Sequence, residues 1–313
     1  HIKTHTLPYW GRRQIEAGAA GITCQKIGEA EVFADAGFDD IFLPYNILGA
    51  DKLARLKALH RRITLSVTVD NEVSLAGLAE TFTDPARPLT VLVECDTGMG
   101  RCGVQSPAEA LTLARRIAAQ PDLRFGGLMT YPAHGKPAET EAWLVAARDL
   151  LAQSGLDCAV ISGGNTPDMW NAPSGSIVTE HRPGTYIYMD RYQVAKGAAT
   201  LADCAFTVLA TVVSRPTATR AILDAGSKTL SSDTLGMTGF GDVLGIDGAT
   251  VVSLSEEHGT VSLPEGARLA VGERVHVLPN HCCVVTNLFD QVYLVSAGKV
   301  VDVLDVAARG KVT

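Results

Sequence analysis

The stretch LTVLVECDTGMGRCGVQSPAEALTLARRIAA, residues 89–119, runs through one strand, one glycine-rich loop and one helix. Its first residues, LTVLVECD (89–96), form an apolar run of strand length. The helix that follows has a recognisable start, with Ser106 as the N-cap, Pro107 at the first helical position and Glu109 as the capping-box partner. A buried strand followed directly by a helix predicts a parallel β/α unit.

The same alternation extends from residue 1 to about residue 190. The other strand candidates are GITCQ (21–25), DIFLPYN (40–46), TLSVTVD (64–70), RFGGLMTY (124–131), CAVISGG (158–164) and VTEHRPGTYIY (178–188). The opening HIK (1–3) completes a set of eight. Eight β/α units in this length predict an α/β fold, a compact (β/α)8 barrel, with an open doubly wound sheet as the alternative.

The pattern changes near residue 195. Residues 204–313 read as short strands and turns with little helix, and CCVVTN (282–287) is one of those predicted strands. We therefore expect two domains, a (β/α)8 barrel over residues 1–195 and a C-terminal all-β domain over residues 196–313.

Composition narrows the class of protein. Of 313 residues, 46% are apolar and 19% are charged, and the net charge is −7. A negative charge argues against non-specific nucleic-acid binding, and no apolar run reaches the roughly 18–20 residues of a membrane span. The seven cysteines are odd in number, which favours reduced thiols and a cytoplasmic location over a disulfide framework.

Two glycine-rich loops follow the predicted seventh and eighth strands. The first loop contains Ser162, Gly163, Gly164 and Asn165, and the second contains Gly184 and Thr185, after Pro183 in the eighth predicted segment. Barrels commonly bind phosphate in these two loops, because exposed backbone amides attract anions. Ordinary strand-to-helix turns are the alternative for both loops.

Lys3 lies at the end of the predicted first strand, at the mouth of the barrel. An amine that loses water there has a lowered pKa and can form a Schiff base. A lysine opposite a phosphate site is what pyridoxal 5′-phosphate requires. A plain surface lysine near a frayed terminus is the alternative.

These residues resemble a known family, the fold-type III pyridoxal-phosphate enzymes with an alanine-racemase-like barrel. Within that family the chain is similar to the D-threonine aldolase and D-serine dehydratase branch, and the similarity covers nearly all of it. The motifs that carry the resemblance are HIKTH (1–5), GITCQKIGEAEVF (21–33), DTGMGRCG (96–103), SGGNTPDMW (162–170), EHRPGTYIYMD (180–190), LDAGSKTLSSD (223–233), LSEEHG (254–259) and PNHCCVVTN (279–287).

The resemblance implies a role for individual residues. Lys3 matches the cofactor-binding lysine, and Arg101 matches an arginine near the phenolic oxygen of the cofactor. The other residues it places at the cofactor are Gln25, Tyr131, Ser162, Gly163, Gly164, Asn165, Gly184, Thr185 and Tyr186. Family members carry a further segment ahead of this lysine motif, so we expect the natural chain to begin before His1.

His281 and Cys283 match a two-residue metal site of the same branch. On a strand, residues two apart share one face and can bind one ion, whereas core packing is the alternative for an isolated pair. Imidazole with thiolate favours zinc, and manganese or magnesium are the other candidates. Two protein ligands leave positions open for water and substrate.

The resemblance leaves two reactions on a small-molecule D-β-hydroxy amino acid open. If a base removes the β-hydroxyl proton, Cα–Cβ breaks to give glycine and an aldehyde, and His5 and His134 are the candidate bases. If Lys3 removes the α-proton, the hydroxyl leaves and the products are a 2-oxo acid and ammonia. The barrel motifs favour the aldolase, whereas cysteine in the metal pair is typical of the dehydratases.

Two further alternatives are weaker. A racemase needs no metal, and a non-catalytic cofactor-binding protein would not need the second domain. The resemblance also implies a head-to-tail homodimer, in which case His281 and Cys283 serve the barrel of the partner subunit.

Overall fold

The computed structural model describes residues 1–171 and 175–313. The chain divides into two compact units. The first contains His1–Lys3, Pro8–Gly184 and Gly310–Thr313, and the second contains Thr4–Leu7 and Thr185–Arg309. Within the described residues, no helix combines the length and the apolar character that crossing a membrane requires.

The first unit is built on a parallel sheet of seven strands whose spatial order equals their order in the chain. The strands are β1 (Ile22–Thr23), β2 (Asp40–Leu43), β3 (Thr64–Val69), β4 (Leu89–Cys95), β5 (Leu123–Thr130), β6 (Val160–Gly163) and β7 (Glu180–His181). The helices are α1 (Pro8–Glu16), α2 (Ile27–Asp35), α3 (Ala50–His60), α4 (Glu72–Thr81), α5 (Pro107–Ala118) and α6 (Pro137–Gln153). This β/α order confirms the predicted fold class.

The central strands are buried on both faces, which is typical of a parallel sheet. All residues of β4 except Thr90 are buried, and three consecutive residues of β3, Val67–Val69, are buried as well. These apolar runs were readable in the sequence for the same reason, since neither face of the strand meets water.

Helix α5 begins as its sequence predicts. The Ser106 hydroxyl accepts the backbone N–H of Glu109 at 3.2 Å, and Pro107 occupies the first turn. Its buried residues recur every three or four positions, which turns one face towards the sheet: Ala110, Leu113, Ala114 and Ile117.

The prediction of a first strand at HIK (1–3) is wrong. Residues Ile2–Thr4 form one turn of 3-10 helix. The backbone N–H of Lys3 donates to His1 Nδ1 at 3.3 Å, so this donor is satisfied locally and not by a neighbouring strand. The predicted strand 178–188 is also shorter, because Pro183 has no N–H to continue the ladder after β7.

The second unit contains a closed antiparallel barrel of six strands, in the order β10-β11-β12-β9-β8-β13. These strands are β8 (Val208–Thr217), β9 (Arg220–Leu223), β10 (Gly241–Val243), β11 (Thr250–Leu254), β12 (Gly259–Ser262) and β13 (Arg274–Pro279), and a separate hairpin pairs β14 (Gln291–Ser296) with β15 (Lys299–Asp305). The core of the barrel is aliphatic and includes Val212, Leu223, Val251, Val261 and Val277. Short helices α7 (Arg191–Ala195), α8 (Ser227–Leu230) and α9 (Cys282–Thr286) also belong to this unit.

The predicted strand CCVVTN (282–287) is instead helix α9, with His281 as its N-cap residue. The N–H of Cys282 donates to Asp190 Oδ2 at 3.1 Å, so a carboxylate satisfies a donor that the first helical turn leaves open. The Thr286 hydroxyl donates to the Cys282 carbonyl at 2.8 Å within the same turn. Tertiary contacts therefore override the strand preference of the two valines.

Candidate active site

The segment that carries Lys3 is tied to both edges of the parallel sheet. The backbone nitrogen of His1 donates to the Pro183 carbonyl at 2.9 Å, in the loop after β7. The His1 ring contacts the Gln25 side-chain oxygen at 3.1 Å, in the loop after β1. Residues 1–3 thus lie between the two edge strands, where a (β/α)8 barrel has its remaining strand.

Lys3 is half-buried and lies near a buried carboxylate. Glu29 accepts the backbone N–H groups of Gln25 and Lys26 at 2.6 and 3.1 Å, which holds the loop after β1. Burial raises the pKa of Glu29, while these hydrogen bonds and the charges of Lys3 and Lys26 oppose the rise. An electrostatic link between Glu29 and Lys3 is therefore part of the first unit.

The two predicted phosphate loops meet in the first unit. The Gly184 N–H donates to the Thr166 hydroxyl at 3.2 Å, which joins the loops after β6 and β7. Gly164 has φ +84°, and a Cβ there would lie 2.6 Å from His181 Nδ1, so this position requires glycine. Thr185 and Tyr186 belong to the second unit, in a 3-10 turn over Thr185–Ile187.

Two charged residues that are not among the predicted site residues are buried in the first unit, Glu94 and Arg182. Arg182 donates to the Thr130 carbonyl at 2.8 Å and to the Ser162 hydroxyl, and burial lowers its pKa to about 10. Burial and the charge of Asp70 raise the pKa of Glu94 to about 7, against the opposing effect of Arg101 and Arg182. A charged residue inside an otherwise apolar strand run was the signal that could have identified Glu94.

Arg101 and Tyr131, both predicted at the cofactor, lie together. The guanidinium carbon of Arg101 is 5.0 Å from the centre of the Tyr131 ring. The loop that carries Arg101 is folded tightly, because Asp96 Oδ1 accepts the N–H groups of Gly98 and Gly100 at 2.9 and 3.1 Å. Because these two hydrogen bonds join residues of the same loop, they restrict the conformation of the turn that precedes Arg101.

A second carboxylate holds the far end of that loop. Asp70 Oδ2 accepts the Gly103 N–H at 2.9 Å, while Asp70 Oδ1 accepts from the Asn46 side chain at 2.9 Å. Asp70 is therefore not available to begin helix α4, whose N-cap is Asn71, accepting the Ser74 N–H at 2.9 Å.

His134 follows β5 and contacts the loop after β6. Its Nδ1 lies 2.9 Å from Asp168 Oδ1, and the Gly135 N–H donates to the same carboxylate at 3.3 Å. Asn165, predicted at the cofactor, uses its side chain to hold Asp168, with a 3.1 Å bond from Nδ2 to Oδ2. Sequence reasoning did not single out Asp168.

His5, the other candidate base, has a different environment. It is buried in the second unit, and its Nδ1 accepts the Leu7 N–H at 3.0 Å. A neutral ring in this state carries its proton on Nε2, and its one available lone pair, on Nδ1, is engaged by the Leu7 N–H. Because residues 2–4 form a 3-10 turn, His5 does not share a strand face with Lys3 either.

The proposed metal pair lies at the start of helix α9. Asp190 Oδ2 is 3.0 Å from His281 Nδ1, and Cys283 Sγ is 3.1 Å from the Thr4 hydroxyl. Burial disfavours the charged imidazole, but hydrogen bonds to Asp190 and Cys283 outweigh it and raise the pKa of His281 to about 10. Hydrogen bonds from Cys282 and His281 lower the pKa of Cys283, although burial opposes them.

This donor set fits a metal ion with open positions. Asp190 contacts His281 Nδ1, and a carboxylate at this ring nitrogen is usual for a metal-binding histidine. Nε2 is therefore the nitrogen that would bind an ion. A thiolate at Cys283 would be the second ligand. Across residues 1–171 and 175–313, no group of three or more His, Cys, Asp and Glu side chains is placed to hold an ion.

A cavity of about 290 Å³ lies elsewhere in the first unit. Its lining includes Arg12, Phe38 and Asp40, at the N-terminal ends of the strands. It contains none of the predicted site residues and is at the wrong end of the strands for barrel chemistry.

Comparisons with known proteins identify the family of the chain. Residues 3–192 match the family described as "Alanine racemase, N-terminal domain", and residues 205–295 match the family described as "Putative serine dehydratase domain". The chain is 35% identical to a D-threonine aldolase from Arthrobacter sp, with 99% of this chain and 84% of that protein covered.

Solved structures lead to the same family. The D-threonine aldolase from Filomicrobium marinum superposes with a TM-score of 0.87 and 32% identity, covering 99% of this chain and 88% of the other. The D-threo-3-hydroxyaspartate dehydratase from Delftia sp. HT23 has a TM-score of 0.87 and 29% identity, covering 97% and 88%. A histidine-to-alanine mutant of D-threo-3-hydroxyaspartate dehydratase has been solved, as has a metal-free mutant with alanine for a cysteine two positions further on.

The family match spans more than half of the chain, and the aldolase similarity spans nearly all of it. The chain belongs to the fold-type III pyridoxal-phosphate enzymes, in the lyase branch of the D-threonine aldolases and D-serine dehydratases.

Proposed function

We propose that this chain uses pyridoxal phosphate and a divalent metal ion to cleave D-β-hydroxy amino acids into glycine and an aldehyde, as a D-threonine aldolase does. Its 35% identity to the Arthrobacter aldolase supports the substrate class. The observation that carries the choice of reaction is His134, a second proton acceptor in the unit that contains Lys3. Cleavage needs such a base for the β-hydroxyl, whereas dehydration needs only a base for the α-proton.

The donor set of the first unit fits pyridoxal phosphate. Lys3 offers an amine for covalent attachment. The loops that meet at Thr166 and Gly184 bring backbone amides together, and a phosphate would replace the Thr166 hydroxyl as the acceptor of the Gly184 N–H. The guanidinium of Arg101 and the ring of Tyr131 suit the phenolic oxygen and the aromatic ring of the cofactor. We propose that these residues hold it.

For the metal, we propose His281 Nε2 and Cys283 Sγ as the protein ligands. A thiolate favours zinc, with manganese or magnesium as the alternatives. The solved metal-free cysteine mutant of D-threo-3-hydroxyaspartate dehydratase supports a cysteine ligand in this branch.

When bound, pyridoxal phosphate supplies an electron sink for the bonds at Cα, and the divalent ion supplies a Lewis acid for the β-hydroxyl. The chain's own residues handle the protons. His134 accepts the β-hydroxyl proton at Nε2, and the Lys3 amine delivers a proton to Cα as glycine forms. Asp190 keeps His281 oriented throughout, since it holds Nδ1 at 3.0 Å.

The second candidate is a D-serine or D-threonine dehydratase. A specific observation favours it, the pairing of His281 with a thiolate-prone Cys283. In that reaction Lys3 removes the α-proton, the hydroxyl leaves from Cβ, and the products are a 2-oxo acid and ammonia. His134 would then have no proton to accept.

Product analysis separates the two reactions. The cofactor- and metal-loaded enzyme is incubated with D-threonine and, in parallel, with D-serine, and all products are quantified. We expect glycine and acetaldehyde in equal amounts from D-threonine. Release of 2-oxobutyrate and ammonia from D-threonine, or of pyruvate and ammonia from D-serine, without glycine would overturn the aldolase assignment in favour of the dehydratase.

We also propose a homodimer in the cytoplasm. The family resemblance supports the dimer, and the free thiols of all seven cysteines support a reducing compartment. Light scattering coupled to size-exclusion chromatography tests the assembly, with twice the mass of one chain as the expected result.

A further inference from the structure

We propose that Asp168 is a positioning residue, which holds His134 as the tautomer with a proton on Nδ1 and a lone pair on Nε2. This inference rests on the proposed function, in which His134 accepts the β-hydroxyl proton. It adds a reason why His134 can act as a base, and it assigns a role to a residue outside the predicted cofactor and metal sets.

The side chains of His134 and Asp168 are in direct contact. His134 Nδ1 lies 2.9 Å from Asp168 Oδ1. An ionised carboxylate can only accept hydrogen bonds, so the imidazole must donate from Nδ1. In a neutral ring the other nitrogen, Nε2, then carries the lone pair. The same logic sets the histidine tautomer in the Ser-His-Asp triad.

Asn165 holds the Asp168 carboxylate in place. Asn165 Nδ2 donates to Asp168 Oδ2 at 3.1 Å and to the Pro132 carbonyl at 3.2 Å. In return the Asp168 N–H donates to Asn165 Oδ1 at 2.8 Å. The buried Asn165 amide therefore joins the loops after β5 and β6 and fixes the carboxylate opposite His134.

The Asp168 carboxylate and the His134 ring differ in their exposure to water. The Asp168 side chain is 16% exposed and the His134 side chain 35% exposed. The carboxylate is thus largely shielded from water, which strengthens its hydrogen bond. More of the imidazole surface remains open, as a group that exchanges protons with a substrate requires.

In the cleavage of D-threonine, each bond that breaks is matched by one that forms. The β-hydroxyl proton moves to His134 Nε2, and the oxygen electron pair forms the C=O bond of acetaldehyde. The electron pair of the broken Cα–Cβ bond passes to Cα, which then takes up a proton to give glycine. Asp168 gains no proton and stabilises the imidazolium that forms.

The test is Asp168→Asn, which keeps the size of the side chain. Its amide can donate to Nδ1 and so selects the opposite tautomer, with the proton on Nε2. We expect kcat for D-threonine cleavage to fall about 100-fold, the scale of general acid–base catalysis. KM and the visible absorbance of the bound cofactor should stay unchanged, because neither depends on the tautomer.

Two further readouts distinguish positioning from a general structural role. Exchange of the glycine α-hydrogen with deuterated water depends on Lys3 and not on His134, so Asp168→Asn should retain it. Nitrogen-15 NMR of the His134 ring should report a protonated Nδ1 in the wild type and a protonated Nε2 in the variant. Asp149→Asn, which removes the exposed carboxylate beside Arg148, is the matched control and should leave kcat, the α-hydrogen exchange and the His134 tautomer unchanged.

Asp168→Glu provides a rescue and a second variant if Asp168→Asn does not fold. It restores a carboxylate, so it should keep the Nδ1–H tautomer and cleave faster than Asp168→Asn. Wild-type kcat in Asp168→Asn, or an unchanged His134 tautomer, overturns the inference while leaving the aldolase assignment intact. If the wild type releases no acetaldehyde, the proposed function fails instead, and the NMR comparison still decides whether Asp168 sets the tautomer.

Discussion

At the residue scale, Lys3 is the lysine that we propose to bind the cofactor covalently. We expect wild-type protein treated with pyridoxal phosphate and then borohydride to keep the cofactor on the peptide that contains Lys3. Lys3→Ala should lose both this attachment and the visible absorbance of the bound cofactor, because the Schiff base requires the amine at this position. Mass spectrometry of the digested protein measures the attachment.

Lys26→Ala is the matched control for Lys3, because Lys26 lies in the loop after β1 with its amine 4.0 Å from the centre of the Tyr45 ring. It should label like the wild type. Attachment that persists in Lys3→Ala would assign the cofactor to another lysine.

Glu94 gives the molecule a pH dependence of stability. Its carboxyl keeps a proton up to about pH 7 in the folded chain, compared with an ordinary value of 4.5. The folded state therefore binds more protons between these values, and the free energy of unfolding falls as pH rises through this window. Glu94→Gln removes this loss, so the variant should gain stability relative to the wild type at pH 8 but not at pH 4, by at most about 3 kcal/mol.

Urea unfolding at the two pH values measures the Glu94 effect. Glu80→Gln, an exposed carboxylate on helix α4, controls for the loss of one negative charge. Equal shifts at both pH values, or equal behaviour of the two variants, would contradict the assignment of the pH dependence to Glu94.

Individual site residues differ in how far the sequence reveals them. Lys3 and His134 can be proposed from the sequence, because the family motif HIKTH contains the first and the apolar run RFGGLMTY (124–131) directly precedes the segment of the second. Asp168 and Asp190 cannot, because their histidine partners lie 34 and 91 residues away in the chain. Such pairs form only through tertiary folding, and the sequence has no local pattern that marks them.

At the element scale, the loop 96–103 depends on glycine at one position more than at another. Gly103 has φ +118°, and a Cβ there would lie 2.3 Å from Asp96 N and 2.5 Å from the Cys95 carbonyl carbon. Gly100 has φ +68°, and a Cβ there would meet no described atom within 4 Å. Gly103→Ala must therefore move backbone atoms, whereas Gly100→Ala only meets a conformational penalty of about 1 kcal/mol.

We expect Gly103→Ala to be destabilised by at least about 2 kcal/mol and to bind pyridoxal phosphate more weakly, because the turn that presents Arg101 is displaced. Gly100→Ala serves as the matched control in the same loop. Thermal unfolding and cofactor titration measure the two effects. Equal losses in both variants would mean that the close approach at Gly103 does not hold the loop.

Helices and strands can be predicted where capping residues and apolar periodicity agree. Short elements are predicted wrongly, because they contain too few residues for these signals. Helix α5 has its cap, its proline and its buried stripe in the sequence, and the structure reproduces all three. The segment CCVVTN has two valines that favour a strand, but Asp190 accepts the Cys282 N–H and a helical turn forms instead. Three residues at HIK are too few for any periodicity to distinguish a strand from a 3-10 turn.

At the scale of the whole molecule, the fold class follows from repetition. Each β/α unit pairs a buried strand with a helix that buries one face. One wrongly predicted strand, such as HIK, therefore changes the strand count without changing the architecture. The parallel sheet has seven strands in the described part of the chain, and the tied segment His1–Lys3 accounts for the eighth position.

The proposed metal ligands lie in the second unit, whereas Lys3 lies in the first. We expect chelation to stop cleavage of D-threonine while the visible absorbance of the cofactor and the exchange of the glycine α-hydrogen persist. The reason is that the ion is proposed to act on the β-hydroxyl, which glycine lacks. Zinc or manganese added back should restore cleavage.

Cys283→Ala should reproduce the effect of chelation, and metal analysis of the purified protein should find less bound ion per chain. Cys204→Ala is the matched control, since Cys204 is a half-buried thiol of the second unit whose Sγ lies 3.6 Å from the Thr200 carbonyl. It should keep both the ion and the activity. Full cleavage by Cys283→Ala, or by the chelated enzyme, would remove the metal from the reaction and leave His134 and Lys3 to carry it alone.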